Sequence, residues 1–166
     1  MVNCNMDNTY TLKFADTADI SSWMDLVTLV RYNFPSLEID EELEKHRQTV
    51  LKNMQRGSAI CVTAGDCIVG VLLFSCNQHC ISCMAVHPLH RKKGIASAMI
   101  EKMLSVLSPE RDVSVTTFRE GDEKSIAPRA LYKKFGFVED ELLIEHGYPN
   151  QRFVLHRNNG KGSSGV

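Results

Sequence analysis

A basic, glycine-bearing turn, His87-Pro88-Leu89-His90-Arg91-Lys92-Lys93-Gly94, joins an apolar strand-like run (Ile81 to Val86) to a helical pattern running from about Gly94 to Leu107. This segment constrains the chain most. A strand that feeds a helix through a tight turn leaves several backbone N–H groups without intrahelical partners, at the positive end of the helix dipole. Such a turn is suited to a phosphate-bearing ligand. The strand that follows the helix is expected beside the first one and parallel to it.

The rest of the chain supplies the elements around this unit. Tyr10 to Phe14 alternates as a short strand, and Asp16 or Thr17 can cap a helix whose stripe is Ile20, Trp23, Met24, Val27 and Val30. A second helix opens on Asp40-Glu41-Glu42, acidic residues suited to a first turn, and stops at Gly57. Ser58 to Thr63 and Cys67 to Phe74 read as a hairpin around Gly65-Asp66, and His79 to Val86 as the next strand. After the helix to Leu107 come a strand at Val113 to Phe118, a charged loop at Arg119 to Lys124 and a short helix at Pro128 to Phe135. Strands near Phe137 to Ile144 and Arg152 to Leu155 close the order. Strands and helices in this order make a mixed α/β (α+β) fold of about seven strands and four helices.

Composition narrows the partners. With 19 basic and 20 acidic residues the net charge is −1, which gives no electrostatic argument for nucleic acid. No apolar run approaches the roughly 18 residues of a membrane span, and Met1 to Thr9 is polar, unlike a secretory signal. A cytoplasmic protein is therefore expected, with its six cysteines reduced.

Two segments together carry a family resemblance. Arg91-Lys92-Lys93-Gly94-Ile95-Ala96 fits the R/Q-x-x-G-x-G/A signature of the GNAT N-acetyltransferase superfamily. Ala130-Leu131-Tyr132-Lys133-Lys134-Phe135-Gly136-Phe137 resembles that family's later landmark, a helix ending in L-Y-x-x-x-G-F. The order of elements is similar over roughly residues 9 to 157. The resemblance implies a single GNAT domain over 1–157, built on a mixed, mostly antiparallel sheet, with a Gly/Ser-rich flexible tail over 158–166.

The resemblance also implies acetyl-CoA as the acetyl donor, with no metal. Its diphosphate is expected on the backbone N–H groups of Lys92, Lys93, Gly94, Ile95, Ala96 and Ser97, with Arg91 adding charge and Gly94 allowing close approach. The peptide-like pantetheine arm is expected to pair with Met84, Ala85 and Val86. An amine attacks the thioester carbonyl, polarised by a backbone N–H near Val86, and the tetrahedral intermediate expels the thiolate. Tyr132 holds the family position of the acid that protonates this thiolate; the alternative is a tyrosine that only hydrogen-bonds the sulfur.

The base has no clear signature. His79 and His87 border the strand, and Glu120, Asp122 and Glu123 follow the next one; Glu120 is the first candidate, although a carboxylate on a loop is more often simply solvated. Ser125 stands where relatives often carry asparagine, and is expected to cap the short helix or to contact the pantetheine. A primary amine on a small molecule is the expected acceptor, with Tyr32, Phe34 and Tyr148 lining its pocket or serving as ordinary packing. The acidic insert Glu120 to Glu123 suits a cationic acceptor. Alternatives are a protein or peptide amine, or a non-catalytic acyl-CoA-binding module. The exposed closing strands could pair in a homodimer. Cys76-x-x-His79-Cys80-x-x-Cys83 has zinc-like spacing, but Cys80 and Cys83 point to opposite faces of a strand, so apolar packing is the favoured role.

Overall fold

The computed structural model describes residues 9–157; the expected tail and the polar N-terminal stretch fall largely outside them. Seven strands form one sheet: β1 (Tyr10–Phe14), β2 (Ala59–Ala64), β3 (Cys67–Ser75), β4 (Cys80–Val86), β5 (Val113–Phe118), β6 (Val138–Glu145) and β7 (Tyr148–Leu155). Their order is β1-β2-β3-β4-β5-β7-β6. The pairs β1–β2, β2–β3, β5–β7 and β6–β7 are antiparallel. As expected of two strands joined through a helix, β4 and β5 are parallel, with Cys80 opposite Ser114 and Ile81 opposite Val115. Four helices complete the fold: α1 (Ile20–Val30), α2 (Asp40–Arg56), α3 (Ile95–Val106) and α4 (Ile126–Lys134).

The described residues cluster into two compact units. The first runs to Phe74 and includes Cys83–Met103. Here β3 is an almost unbroken buried run, as a strand covered on both faces must be. Trp23, Leu26 and Val27 of α1 and Val50 and Met54 of α2 share a core with Ala59, Cys61, Val71 and Leu73. The opposite face receives α3 at Gly70, where an added Cβ would stand 2.6 Å from Ile95 Cγ2. Ahead of α1, Asp16 caps a single 3-10 turn, accepting the Ala18 N–H while Asp19 accepts the Asp16 N–H. Gly57 ends α2 at φ 73°, the left-handed conformation that favours glycine.

The second unit comprises Ser75–Ser82 and the chain from Leu104 onward. Its core holds Val113, Val115, Phe137 and Phe153. Helix α4 turns Arg129 and Tyr132 inward. The buried Arg129 guanidinium donates to Gln151 Oε1 at 2.7 Å, pairs with Glu139, and lies 4.9 Å from the centre of the Phe153 ring. Pairing and hydrogen bonding of this kind are what a buried cation requires. The final strand begins at Tyr148, four residues before the expected start at Arg152. Its Pro149 pairs with Ile144 of β6 and lies beyond Asn150, the last residue opposite β5, so the missing N–H removes no bond to that neighbour. A two-residue loop, His146 (φ 51°) and Gly147 (φ 74°), closes the β6–β7 hairpin.

Cysteine chemistry departs from expectation at one position. Cys61, Cys76, Cys80 and Cys83 are free thiols, whereas Cys67 is disulfide-bonded. No group of three or more metal-ligating side chains comes together among the described residues. No helix among them is long and apolar enough to cross a membrane.

Candidate active site

In the first unit the predicted donor-binding residues form one continuous strand–turn–helix. Met84, Ala85 and Val86 end β4 as half-buried residues, and Arg91, Lys92, Lys93 and Gly94 form an exposed turn before α3. Lys92 takes φ 61° and Gly94 φ 78°, two left-handed residues within three positions. Alternation of this kind aims successive N–H groups into one concavity suited to an anion. Gly94 O accepts the Ala98 N–H at 3.0 Å, so the N–H groups of Ile95, Ala96 and Ser97 occupy the first turn, where a helix supplies no acceptor. Space is open around the position a Gly94 Cβ would take, so it is the left-handed φ that favours glycine here. Arg91 Nε reaches Val86 O at 3.4 Å.

Two histidines of this segment are held as weak bases. Burial lowers the pKa of His87, with His90 and Arg91 adding to the effect, and His87 Nδ1 accepts the Leu89 N–H at 3.1 Å. Burial, then Lys93, lowers His90. In the second unit, burial followed by Arg111 lowers His79. Burial pushes the Cys83 thiol up to about 12, because Cys83 packs against the apolar core of its unit. A thiol so shifted is not a thiolate nucleophile near neutrality.

In the second unit Tyr132 is 4% exposed. Its ring lies 5.6 Å from that of Phe137 and 6.2 Å from that of Phe153, which fixes its orientation. Ser125 is buried immediately before α4 but makes no capping hydrogen bond with its side chain. The expectation of a Ser125 cap is corrected: a 3-10 turn over Glu123–Ser125 precedes α4, leaving Ser125 with helical backbone angles, and Asp122 caps that turn by accepting the Lys124 N–H. Glu120 is exposed on the loop.

Sequence reading paired neither Asp122 with Tyr148 nor Arg119 with its carbonyl partners. Tyr148 Oη donates to Asp122 Oδ2 at 2.6 Å, and its ring stands edge-on to Phe118 at 5.3 Å. That hydrogen bond lowers the Asp122 pKa and raises that of Tyr148. Arg119 donates to the carbonyls of Asn150 and Leu143. The loop after β5 is thus tied to the β6–β7 end of the sheet. Phe34 packs against the first unit's core, while Tyr32 is 56% exposed.

Comparison with known proteins gives the family and the fold. Residues 55–139 match the family model described as Acetyltransferase (GNAT) domain. No curated protein sequence gives a significant match. Among solved structures, a GNAT-family acetyltransferase from Bacillus cereus ATCC 10987 is similar at TM-score 0.66 and 19% identity, covering 90% of this chain and 98% of that one. An N-acetyltransferase from Staphylococcus aureus Mu50 gives 0.69 and 15%, covering 87% and 100%. A Salmonella typhimurium acetyl transferase that modifies the N-terminal serine of ribosomal protein L7/L12 gives 0.64 and 16%, covering 89% and 95%. The yncA protein of the same organism, solved with its cofactor acetyl-CoA, gives 0.64 and 14%, covering 95% and 99%.

Proposed function

Since the chain belongs to the GNAT acetyltransferase family and is an N-acetyltransferase, we propose that it transfers the acetyl group of acetyl-CoA to a primary amine on a small molecule by direct attack. The observation that carries the donor assignment is the exposed turn Arg91–Gly94, with its left-handed Lys92 and Gly94. Three cationic side chains, a run of N–H groups and open space at Gly94 suit the charge of a diphosphate. Acetyl-CoA supplies the activated acyl group. Main-chain groups of Met84, Ala85 and Val86 hold the pantetheine arm, and a backbone N–H near Val86 polarises the carbonyl. Tyr132 returns a proton to the leaving thiolate: a phenol with pKa about 10 can protonate a thiolate whose conjugate acid lies near ~8.5. Residues 1–157 serve as one acetyltransferase domain in this proposal.

Glu120 is the proposed base, acting through water, and its exposure leaves it accessible. Asp122 is less suited, because its bond to Tyr148 lowers its basicity. Asp122 fits better as a fixed negative charge toward a cationic acceptor. A second reading, a peptide N-terminal amine, is favoured by the L7/L12-modifying neighbour. An acceptor panel of small amines and short peptides, followed by release of free thiol from acetyl-CoA, tests both. Small cationic amines are expected to accelerate release. Faster turnover of peptides would replace the first reading by the second. Tight CoA binding with no acceptor-dependent release would refute transfer to either.

A further inference from the structure

His90 and Tyr10 lie outside both family motifs, yet the first unit links them. His90 is 2% exposed and is the residue immediately before the cationic turn. It closes the short turn Pro88–His90 by donating its N–H to the His87 carbonyl at 2.9 Å. Its Nδ1 lies 2.8 Å from Tyr10 Oη, on β1. The His90 ring stands edge-on to Tyr10 at 5.7 Å and to His87 at 5.3 Å. Residues 91–94 are exposed, and none of the ion pairs among the described residues involves Arg91, Lys92 or Lys93. Three adjacent cations and a left-handed lysine disfavour a fixed turn. Its support comes from Arg91 Nε on the Val86 carbonyl, from Gly94 immediately before α3, and from His90 held to the first strand.

We propose that the Tyr10–His90 hydrogen bond is a positioning device that sets the diphosphate-binding turn before the donor arrives. The proposal rests on the diphosphate reading of Arg91–Gly94. Preorganisation strengthens binding because a turn that is already ordered loses less conformational freedom when the ligand binds. Tyr10→Phe keeps the ring contact and removes the hydroxyl. It is expected to weaken CoA binding about tenfold, the scale of one buried hydrogen bond. Binding of pantetheine, which lacks the phosphates, is expected to stay unchanged. His90→Phe should give the same loss for CoA, and the double variant should be no weaker than either single one, as for two ends of one interaction. Calorimetry measures CoA, NMR titration measures pantetheine, and thermal melts check folding. Equal weakening of both ligands, unchanged CoA affinity, or additive losses in the double variant would overturn the proposal. A wild-type protein that binds CoA no better than pantetheine would overturn the diphosphate reading itself, a separate result.

Discussion

A buried phenol acts as an acid only where its ring cannot drift, and Tyr132 is held between Phe137 and Phe153. Tyr132→Phe keeps this packing and removes only the hydroxyl. We expect kcat to fall about 10²-fold, within the range for losing a general acid, with little change in CoA affinity. Steady-state kinetics with calorimetry of CoA checks this, and unchanged kcat would remove Tyr132 as the acid. Gly94 works differently, through its backbone at φ 78°. Gly94→Ala introduces the left-handed strain of a side chain, about 1–2 kcal/mol, although the space around it is open. Gly94→Glu adds a negative charge at the proposed diphosphate site. CoA affinity should therefore fall in the order wild type, alanine, glutamate; an alanine variant as weak as the glutamate one would assign the whole effect to strain.

Helix α3 owes its seat to a residue that gives no pattern signal. Gly70 sits within a buried apolar strand, and only the packed helix shows why: Ile95 Cγ2 and Met99 Cε would lie 2.6 and 3.2 Å from its Cβ. Gly70→Ala is expected to destabilise the protein by about 1–3 kcal/mol through overpacking, read from the urea midpoint. Because Ile95 is the first residue of α3, the same variant should also weaken CoA binding. A stable variant with normal CoA affinity would show that α3 adjusts without moving the turn. Helix α4 differs from its expected span at the N-terminal boundary. It begins at Ile126 rather than Pro128, after a 3-10 turn that Asp122 caps. Proline lacks an N–H, but in the first turn of a helix that N–H has no intrahelical acceptor.

For the whole molecule, four histidines give the stability an acid limit. Burial is the first cause that lowers the pKa of His46, His79, His87 and His90 from 6.5. A base whose folded pKa is depressed takes up its proton more readily when unfolded. Stability is therefore complete above about 6.5 and declines as pH falls from there toward the folded values. Asp112 and Asp122 are also lowered, but from 3.8, so their contribution is lost only in stronger acid. Thermal melts from pH 7.5 to 5 should show a falling Tm, and a flat profile would contradict the histidine assignment. Family membership rests on residues 55–139, a span that begins before β2 and ends within β6.

Local chemistry made much of this legible. Gly57 as a helix stop, the hairpin at Gly65-Asp66 and the parallel β4–β5 pair depend on neighbours in sequence or on the handedness of crossovers, and each formed where expected. Asp16 caps the 3-10 turn ahead of α1 rather than α1 itself, whose N-cap residue Asp19 makes no side-chain capping hydrogen bond. The strand–turn–helix with its cations and glycine was readable from residue order alone, because backbone conformation and helix-end chemistry are local properties. Packing in three dimensions is what sets Tyr10 against His90, makes room at Gly70 for Ile95, joins Asp122 to Tyr148 and neutralises Arg129 with Glu139. These partners lie 10 to 80 residues apart along the chain. No periodicity encodes them, since a hydrogen bond or a close contact requires only nearness in space, which the packing of strands and helices creates.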